Sequence, residues 1–247
     1  MWVWLLLVVG AFWAGAQNAL AGGGSFITLP ALMLVGLDAR AANITSTVAL
    51  FPAQIVMGLT GRSDMAAPPG LTVRALIGIS LVGGAIGAVI LLLTPPSFFA
   101  KLVPWLVLFA TAIFAWGSFG RKASKPGDAQ MPTWGAALMQ FAIAIYGGYF
   151  GGGIGFLMLA ALTVAGLAVR NAGATKNVLA GAMNASAVAI FAFSSDTHWR
   201  EAIVTAVAAA AGGYLGALML KRVNDRVLRI VVTIIGVLLT IGLFWTS

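Results

Sequence analysis

The stretch GGGSFITLP, residues 22–30, decides how this chain folds, because three consecutive glycines there interrupt a long apolar run. A second glycine cluster, GGGIG at residues 151–155, interrupts another apolar run. When the chain is aligned with itself at a shift of 130 residues, 12 of the 27 positions from 22 to 48 are identical. The less common residue types among these identities form the pairs Phe26–Phe156, Arg40–Arg170 and Thr45–Thr175. The chain therefore consists of two copies of one unit, and each copy contains a glycine-rich break.

The composition of the chain places these two copies in lipid. The chain has 247 residues, of which 61% are hydrophobic and 8% are charged, whereas a soluble domain carries about 25% charged residues. A surface with so few charges suits a bilayer, where α-helices satisfy their own backbone hydrogen bonds. We therefore predict an all-α fold, a polytopic transmembrane helical bundle.

Ten apolar segments, separated by polar, proline or glycine residues, are predicted to be helices. In chain order they cover about 2–21, 24–36, 41–60, 72–93, 99–119, 133–150, 154–167, 172–193, 200–220 and 227–245. The segments 24–36 and 154–167 follow the glycine clusters and would be only about 20 Å long as helices. That is too short to cross a hydrocarbon core of about 30 Å. The sequence leaves open whether there are ten spans or six spans plus two re-entrant hairpins.

The distribution of basic residues predicts how the two copies are oriented. We divide the chain into a first membrane repeat at 1–119, a cytoplasmic linker at 120–132 and a second membrane repeat at 133–247, which form one membrane domain. If each repeat crosses the membrane an odd number of times, 11 of the 14 Lys and Arg residues lie on or near the cytoplasmic side, as the positive-inside rule requires. The repeats are then inverted, both termini are external, and we expect a multi-pass protein of a bacterial inner membrane.

The two glycine breaks predict a binding site for an anion. Inverted repeats with interrupted helices are typical of transporters, whose substrates bind near the bilayer midplane at the ends of half-helices. A helix is predicted to start after each break, at about Ser25 and Gly155. The first N–H groups of a helix lack internal partners and carry the positive end of the helix dipole, which favours an anion. The glycines within 83–88 and 212–217 are better explained by close packing of helices.

The residues predicted to bind the substrate lie in the breaks or on polar stretches of adjacent helices. They are Asn18, Gly22, Gly23, Gly24, Ser25, Thr45, Ser46 and Gln54 in the first copy, and Tyr149, Gly152, Gly153, Gly155, Thr175, Lys176, Asn177 and Asn184 in the second. Polar side chains inside a bilayer are costly and usually face a cavity or the bundle interior. Lys176 either contacts the substrate or extends to the cytoplasmic interface, whereas Arg40 and Arg170 are interpreted as orientation anchors.

The inventory of reactive residues argues against an enzyme. The chain has no cysteine, one histidine and six acidic residues, too few for most metal sites and catalytic triads, and we predict no cofactor. All six acidic residues lie in loops or at the ends of predicted helices, which argues against cation transport. In a membrane protein the net charge of +8 reflects topology and contact with anionic lipid, so nucleic acid is not an expected partner.

The glycine breaks and the polar stretches after them resemble the two signatures of the TauE/SafE sulfite exporter family. The matching segments are 22–30 with Ala42-Asn43-Ile44-Thr45-Ser46, and 151–155 with Ala174-Thr175-Lys176-Asn177 and Asn184. The resemblance implies a secondary transporter that exports a small anion, sulfite or an organosulfonate, by alternating access around a midplane site. Two alternatives stay open: a transporter of another small organic anion such as a carboxylate, and a non-transporting membrane assembly protein. The expected partners are the anion and membrane lipid, and a homodimer is left open.

Overall fold

The computed structural model describes residues 2–20, 23–60, 62–116, 131–219 and 225–246. These residues form ten α-helices and a short 3-10 helix at Arg62–Asp64, with no β-strand among them, so the predicted all-α fold is confirmed. In chain order the helices are α1 (Trp2–Leu20), α2 (Ser25–Leu34), α3 (Ala39–Thr60), α4 (Val73–Leu93), α5 (Pro96–Ala115), α6 (Thr133–Tyr149), α7 (Ile154–Val164), α8 (Val169–Phe191), α9 (Trp199–Met219) and α10 (Asp225–Thr246). Gly22 and most of the predicted linker, residues 120–130, lie outside the described residues.

The lengths of the helices separate membrane spans from shorter elements. Within the described ranges, three stretches are long and apolar enough to cross a membrane: Ala39–Leu59, Val73–Leu93 and Pro96–Ala115. By contrast, α2 and α7 have ten and eleven residues, which corresponds to about 15–17 Å, roughly half of the hydrocarbon thickness. The prediction that a short helix follows each glycine break is therefore confirmed.

The two short helices end in the same way. Gly36 follows α2 and Gly166 follows α7, at equivalent positions of the repeat, and their φ angles are 110° and 100°. In each case the N–H of the next residue, a leucine, donates to a helix carbonyl five residues earlier. This is the Schellman arrangement, in which a glycine in the left-handed conformation terminates a helix. The same local chemistry therefore fixes the length of both short helices.

Close contacts between helices join the first copy to the second. α1 packs along α9, and α4 packs along α6; α1 corresponds to α6 in the repeat and α4 to α9, so the two contacts are counterparts. A Cβ on Gly212 of α9 would lie 1.8 Å from the carbonyl oxygen of Phe12, and one on Gly87 of α4 would lie 2.1 Å from that of Ile145. These glycines allow the backbones to approach, so the packing interpretation is confirmed at both positions.

Each copy has one arginine that forms an ion pair with a loop of the other copy. Arg40 at the start of α3 forms an ion pair of 2.7 Å with Asp196, in the segment before α9. Its counterpart Arg170 at the start of α8 forms an ion pair of 2.9 Å with Asp64, in the segment before α4. The Arg40 pair is mostly buried, whereas the Arg170 side chain is 82% exposed. The reciprocal contacts therefore differ in how far water can reach them.

Candidate functional site

A small polar cavity lies where the two glycine breaks meet. Its lining comes from the end of α1, the breaks, the starts of α2 and α7, and the sides of α3 and α8: Asn18, Gly23, Ser25, Gln54, Met57, Gly151, Gly153, Ile154, Gly155, Lys176, Asn177 and Ala180. The volume of the cavity is about 50 Å³. A single water needs roughly 10–15 Å³ by this measure, so the cavity suits a few waters or one anion of a few atoms.

The backbone conformation of the breaks explains why they contain glycine. Gly23 and Gly153 occupy equivalent positions of the repeat and have φ angles of 80° and 75°, a region that other residues rarely adopt. A side chain from the preceding helix holds each break in place. Nε2 of Gln17 donates to the carbonyl of Gly23 at 3.3 Å, and the hydroxyl of Tyr146 donates to the carbonyl of Gly152 at 2.9 Å. The breaks are therefore ordered turns that direct the next helix towards the cavity.

Both short helices begin at this cavity. α2 begins at Ser25 and α7 begins at Ile154, and Ser25, Ile154 and Gly155 all contribute to the lining. Within the described part of the chain, the backbone N–H groups of these three residues have no hydrogen-bond acceptor. Since such groups carry the positive end of the helix dipole, the two helix starts bring partial positive charge to the cavity, together with donors that have no acceptor among the described residues.

Lys176 adds a full positive charge to the same place. It is the single charged residue among those that line the cavity, and its Nζ atom lies 3.5 Å from where a Cβ on Gly155 would be. No carboxylate in the described ranges forms an ion pair with it. The side chain is half-buried, so its ammonium group faces the start of α7 with no counterion. The cavity is therefore electropositive.

Eight of the residues predicted to bind substrate share the cavity lining: Asn18, Gly23, Ser25, Gln54, Gly153, Gly155, Lys176 and Asn177. Gly24 and Asn184 lie directly behind it, because the Gly24 N–H donates to Oδ1 of Asn18 at 3.5 Å and the Asn184 amide donates to Oε1 of Gln54. Their roles as substrate ligands stay predictions, as does that of Gly22 outside the described residues.

Other predicted residues form hydrogen bonds away from the cavity. Ser46 shares a hydrogen bond with Thr28, and Gly152 accepts one from Tyr146. Tyr149 packs its ring edge-on against that of Phe99. These contacts connect neighbouring segments, and whether the three residues also contact a substrate stays a prediction.

The two equivalent threonines bond to loops of the opposite copy. The hydroxyl of Thr45 accepts the N–H of His198 at 3.2 Å. The hydroxyl of Thr175 accepts the N–H of Ala66 at 3.0 Å and donates to the carbonyl of the same residue at 2.9 Å. Neither threonine is part of the cavity lining. Their presence in both copies is explained by these loop contacts.

Four residues of the lining were not among the predicted ligands: Met57, Gly151, Ile154 and Ala180. Gly151 and Ile154 belong to the GGGIG cluster itself, so the cluster was the available signal. Met57 and Ala180 are apolar residues on α3 and α8, helices with many other apolar residues. Nothing in residue type distinguishes them from neighbours that face lipid or the core.

A membrane-helix bundle whose interrupted helices enclose a small polar cavity has the architecture of a membrane transporter. The chain belongs to the sulfite exporter TauE/SafE family, whose family model matches residues 7–243. This confirms the resemblance found in the two glycine signatures. The family and the relatives below are membrane transporters, not enzymes, which confirms the prediction that the chain is not an enzyme.

Relatives with similar sequences cover nearly the whole chain. A probable membrane transporter protein of Haemophilus influenzae is 28% identical over 96% of this chain and 92% of its own length. The probable membrane transporter protein ORF9 of a Sinorhizobium species is 26% identical, over 96% and 90%. The probable membrane transporter protein YfcA of Escherichia coli K12 is 23% identical, over 96% and 88%. No solved structure matches the chain at a significant level.

Proposed function

We propose that this chain is a secondary transporter that exports a small anion, sulfite or an organosulfonate, from the cytoplasm. The observation that carries the proposal is the ammonium of Lys176 beside the N–H groups at the starts of α2 and α7, none of which has a partner among the described residues. Charge-assisted hydrogen bonds of this kind are the strongest that a protein offers to an anion. Here they replace the water that the anion loses when it enters the membrane.

The size and chemistry of the cavity support a compact oxyanion. A volume of about 50 Å³ leaves little room for a chain of carbon atoms, so sulfite is the first candidate and the smallest organosulfonates follow. The three oxygens of sulfite can accept from the ammonium, the helix N–H groups and the amides of Asn18 and Asn177 together. A small carboxylate has fewer oxygens for the same donors and is the second candidate.

The membrane potential supplies a direction for transport. In a bacterial inner membrane the cytoplasm is negative, which favours outward movement of an anion by about 2.3 kcal/mol per charge per 100 mV. Export therefore needs no additional coupling ion. The acidic side chains Asp38, Asp64, Asp196 and Glu201 lie in loops or at helix ends, which fits a mechanism without a carboxylate proton relay.

We infer that the two repeats are inverted relative to each other, with the linker in the cytoplasm and both termini external. The reciprocal contacts support this arrangement: α1 packs on α9 as α4 packs on α6, and Arg40 and Arg170 each bond to a loop of the opposite copy. Such exchange is expected for two units related by an axis in the membrane plane. In this topology α2 and α7 enter from opposite faces.

Alternating access is supported by a difference between equivalent positions. Gln54, Lys176 and Ala180 line the cavity, but their repeat partners Asn184, Ser46 and Leu50 are each 2% exposed. The cavity is thus present on one side of the site and closed on the other. With the proposed topology, the open side belongs to the cytoplasmic half, which supports an inward-facing state.

The proposed outer side is closed by the network around Arg40. In addition to its ion pair with Asp196, the Arg40 guanidinium donates to the carbonyls of Leu92 and Thr94 at 3.2 and 2.8 Å. The counterpart pair of Arg170 is mostly exposed, and exposed ion pairs contribute about 0–1 kcal/mol. This difference suits a transporter whose outer side is closed by several buried contacts, while the ion pair on the cytoplasmic side contributes little to keeping that side closed.

Cysteine labelling tests the one-sided cavity, because the chain contains no cysteine of its own. We expect Ala180→Cys to react with a membrane-impermeant thiol reagent from the cytoplasmic side, and we expect sulfite to slow this reaction. Leu50→Cys, the equivalent position, is the matched control and should react little from either side. If both positions react equally, or if Ala180→Cys reacts from the outside alone, the inward-facing assignment is wrong.

Transport and binding measurements test the function itself. Purified protein should be stabilised against thermal unfolding by sulfite or a small organosulfonate, since a ligand that binds the folded state raises the unfolding midpoint. In proteoliposomes, efflux of the same anion should rise when the potential is negative inside. If carboxylates alone raise the unfolding midpoint and are transported, the second candidate, a small carboxylate, would be favoured. Absence of flux for every anion would favour an assembly role instead.

A further inference from the structure

We propose that Asn184 is a positioning residue for the anion site, which fixes the Gln54 amide so that its NH2 group faces the cavity. The inference rests on the proposed function and assigns a role to a residue that does not itself line the cavity. Nδ2 of Asn184 donates to Oε1 of Gln54 at 2.5 Å. Gln54 lines the cavity, whereas Asn184 is 2% exposed and lies behind it.

The two amides are counterparts in the repeat, since they are separated by 130 residues. Residues related by the repeat that also contact each other lie close to the axis between the two copies. The cavity is therefore bordered by a hydrogen-bonded amide pair, in which Gln54 lines the cavity and Asn184 is buried behind it. This placement connects Asn184 to the site through Gln54.

The direction of the hydrogen bond determines what the cavity offers to an anion. An amide presents either its oxygen or its NH2 group to a given side. Because the oxygen of Gln54 is engaged by Asn184, the Gln54 NH2 group is left for the cavity, where no described acceptor binds it. In the reverse orientation the Gln54 oxygen would face the cavity, repel an anion and compete with it for the ammonium of Lys176.

The surroundings of Asn184 favour the observed direction. Oδ1 of Asn184 is buried without a partner. If both amides were reversed, the NH2 group of Asn184 would be buried in that place instead, with two donors and no acceptor. Buried N–H groups without a partner are rarer than carbonyl oxygens without one. The buried member of the pair thus determines the orientation of the exposed member.

The first test removes the donor without adding charge. In Asn184→Ser the shorter hydroxyl cannot reach Gln54 and can bond to its own helix. We expect sulfite affinity to fall by roughly tenfold or more, because a donor to a charged group is lost. In a Gln54→Leu background the same change should have no further effect. The proposal is overturned if Asn184→Ser keeps full sulfite affinity. It is also overturned if the change lowers sulfite affinity by the same factor in the wild-type and Gln54→Leu backgrounds.

The second test restores the donor with acid. In Asn184→Asp a protonated carboxyl group can donate to Gln54, whereas an ionised one can only accept and reverses the amide. Relative to wild type at the same pH, sulfite affinity should be at least tenfold weaker where the new carboxyl is ionised and should recover towards wild type as the pH falls and that carboxyl is protonated. Ratios to wild type cancel the titration of sulfite. A ratio that does not change with pH contradicts the proposal. This second test remains decisive if the Asn184→Ser protein fails to fold.

Failure of this inference is distinguishable from failure of the proposed function. If wild-type protein neither binds nor transports sulfite or the other anions, the proposed function is wrong and Asn184 has no site to position. If wild type binds sulfite and the Asn184 variants bind it equally well at each pH, the function stands and the positioning role is wrong. The unfolding midpoint of each variant without sulfite serves as the control for folding.

Discussion

Lys176→Met is expected to weaken binding of the exported anion by roughly tenfold to a hundredfold and to abolish most of its transport. A hydrogen bond to a charged group contributes about 1.5–3 kcal/mol, and Lys176 supplies the single full charge among the described lining residues. Methionine is unbranched like lysine, keeps most of the length of the side chain and carries no charge. The effect should be measured as the sulfite dissociation constant and as sulfite efflux from proteoliposomes.

Two controls separate the charge at this position from charge in general. Lys176→Arg keeps a cation and should retain part of the affinity, although the planar guanidinium donates in a different geometry. Lys101→Met removes a lysine that is exposed on α5 and lies outside the cavity, so sulfite affinity should not change. If Lys176→Met binds sulfite as wild type does, Lys176 extends to the interface and the site is held by N–H groups alone.

The overall fold was predictable because it depends on local signals. Glycine clusters, charged loops and apolar run lengths each mark a boundary within a few residues. The predicted segment 72–93 is observed as Val73–Leu93, and 133–150 is observed as Thr133–Tyr149. The largest deviations at a helix start are three residues and concern α8, which begins at Val169 instead of about 172, and α5, which begins at Pro96 instead of about 99. A proline in the first turn of a helix loses no internal hydrogen bond, so the helix extends back to it.

The candidate site was predictable only where the backbone determines it. The glycine breaks and the helix starts after them follow from local conformation, and the structure brings both into one cavity. For Thr45 and Thr175 the sequence does not show what the polar side chain binds. A polar residue inside a membrane helix indicates a polar partner, but whether that partner is a ligand or a loop of the other copy depends on packing between distant segments. Both threonines have loop partners.

The least predictable feature of the candidate site is which apolar residues line the cavity. Met57 and Ala180 line the cavity, while Ile55 and Val56, neighbours of Met57, are exposed on the outside of the bundle. All are apolar residues in apolar helices, and the side that each faces follows from helix rotation against its neighbours. The copies also differ in burial at equivalent positions, and sequence similarity between the copies cannot predict a difference between them.

Gly212→Ala is expected to lower the free energy of unfolding by about 1–3 kcal/mol, the usual cost of overpacking a core. The new Cβ would lie 1.8 Å from the carbonyl oxygen of Phe12, so α1 and α9 would have to separate by more than an ångström. Gly78→Ala in α4 is the matched control, since nothing lies within 4 Å of its Cβ position and alanine favours a helix over glycine. Thermal unfolding in detergent, followed by circular dichroism, measures both.

The same substitution should also weaken the anion site, because α1 ends beside the first glycine break. Gln17 on α1 holds the carbonyl of Gly23, and Asn18 lines the cavity. A helix displaced from α9 carries both residues away from the break, so sulfite affinity should fall together with stability in Gly212→Ala and stay unchanged in Gly78→Ala. Equal stability of the two variants would show that α1 and α9 do not approach as closely as their glycines allow. A loss of stability with full sulfite affinity would show instead that the site does not depend on the position of α1.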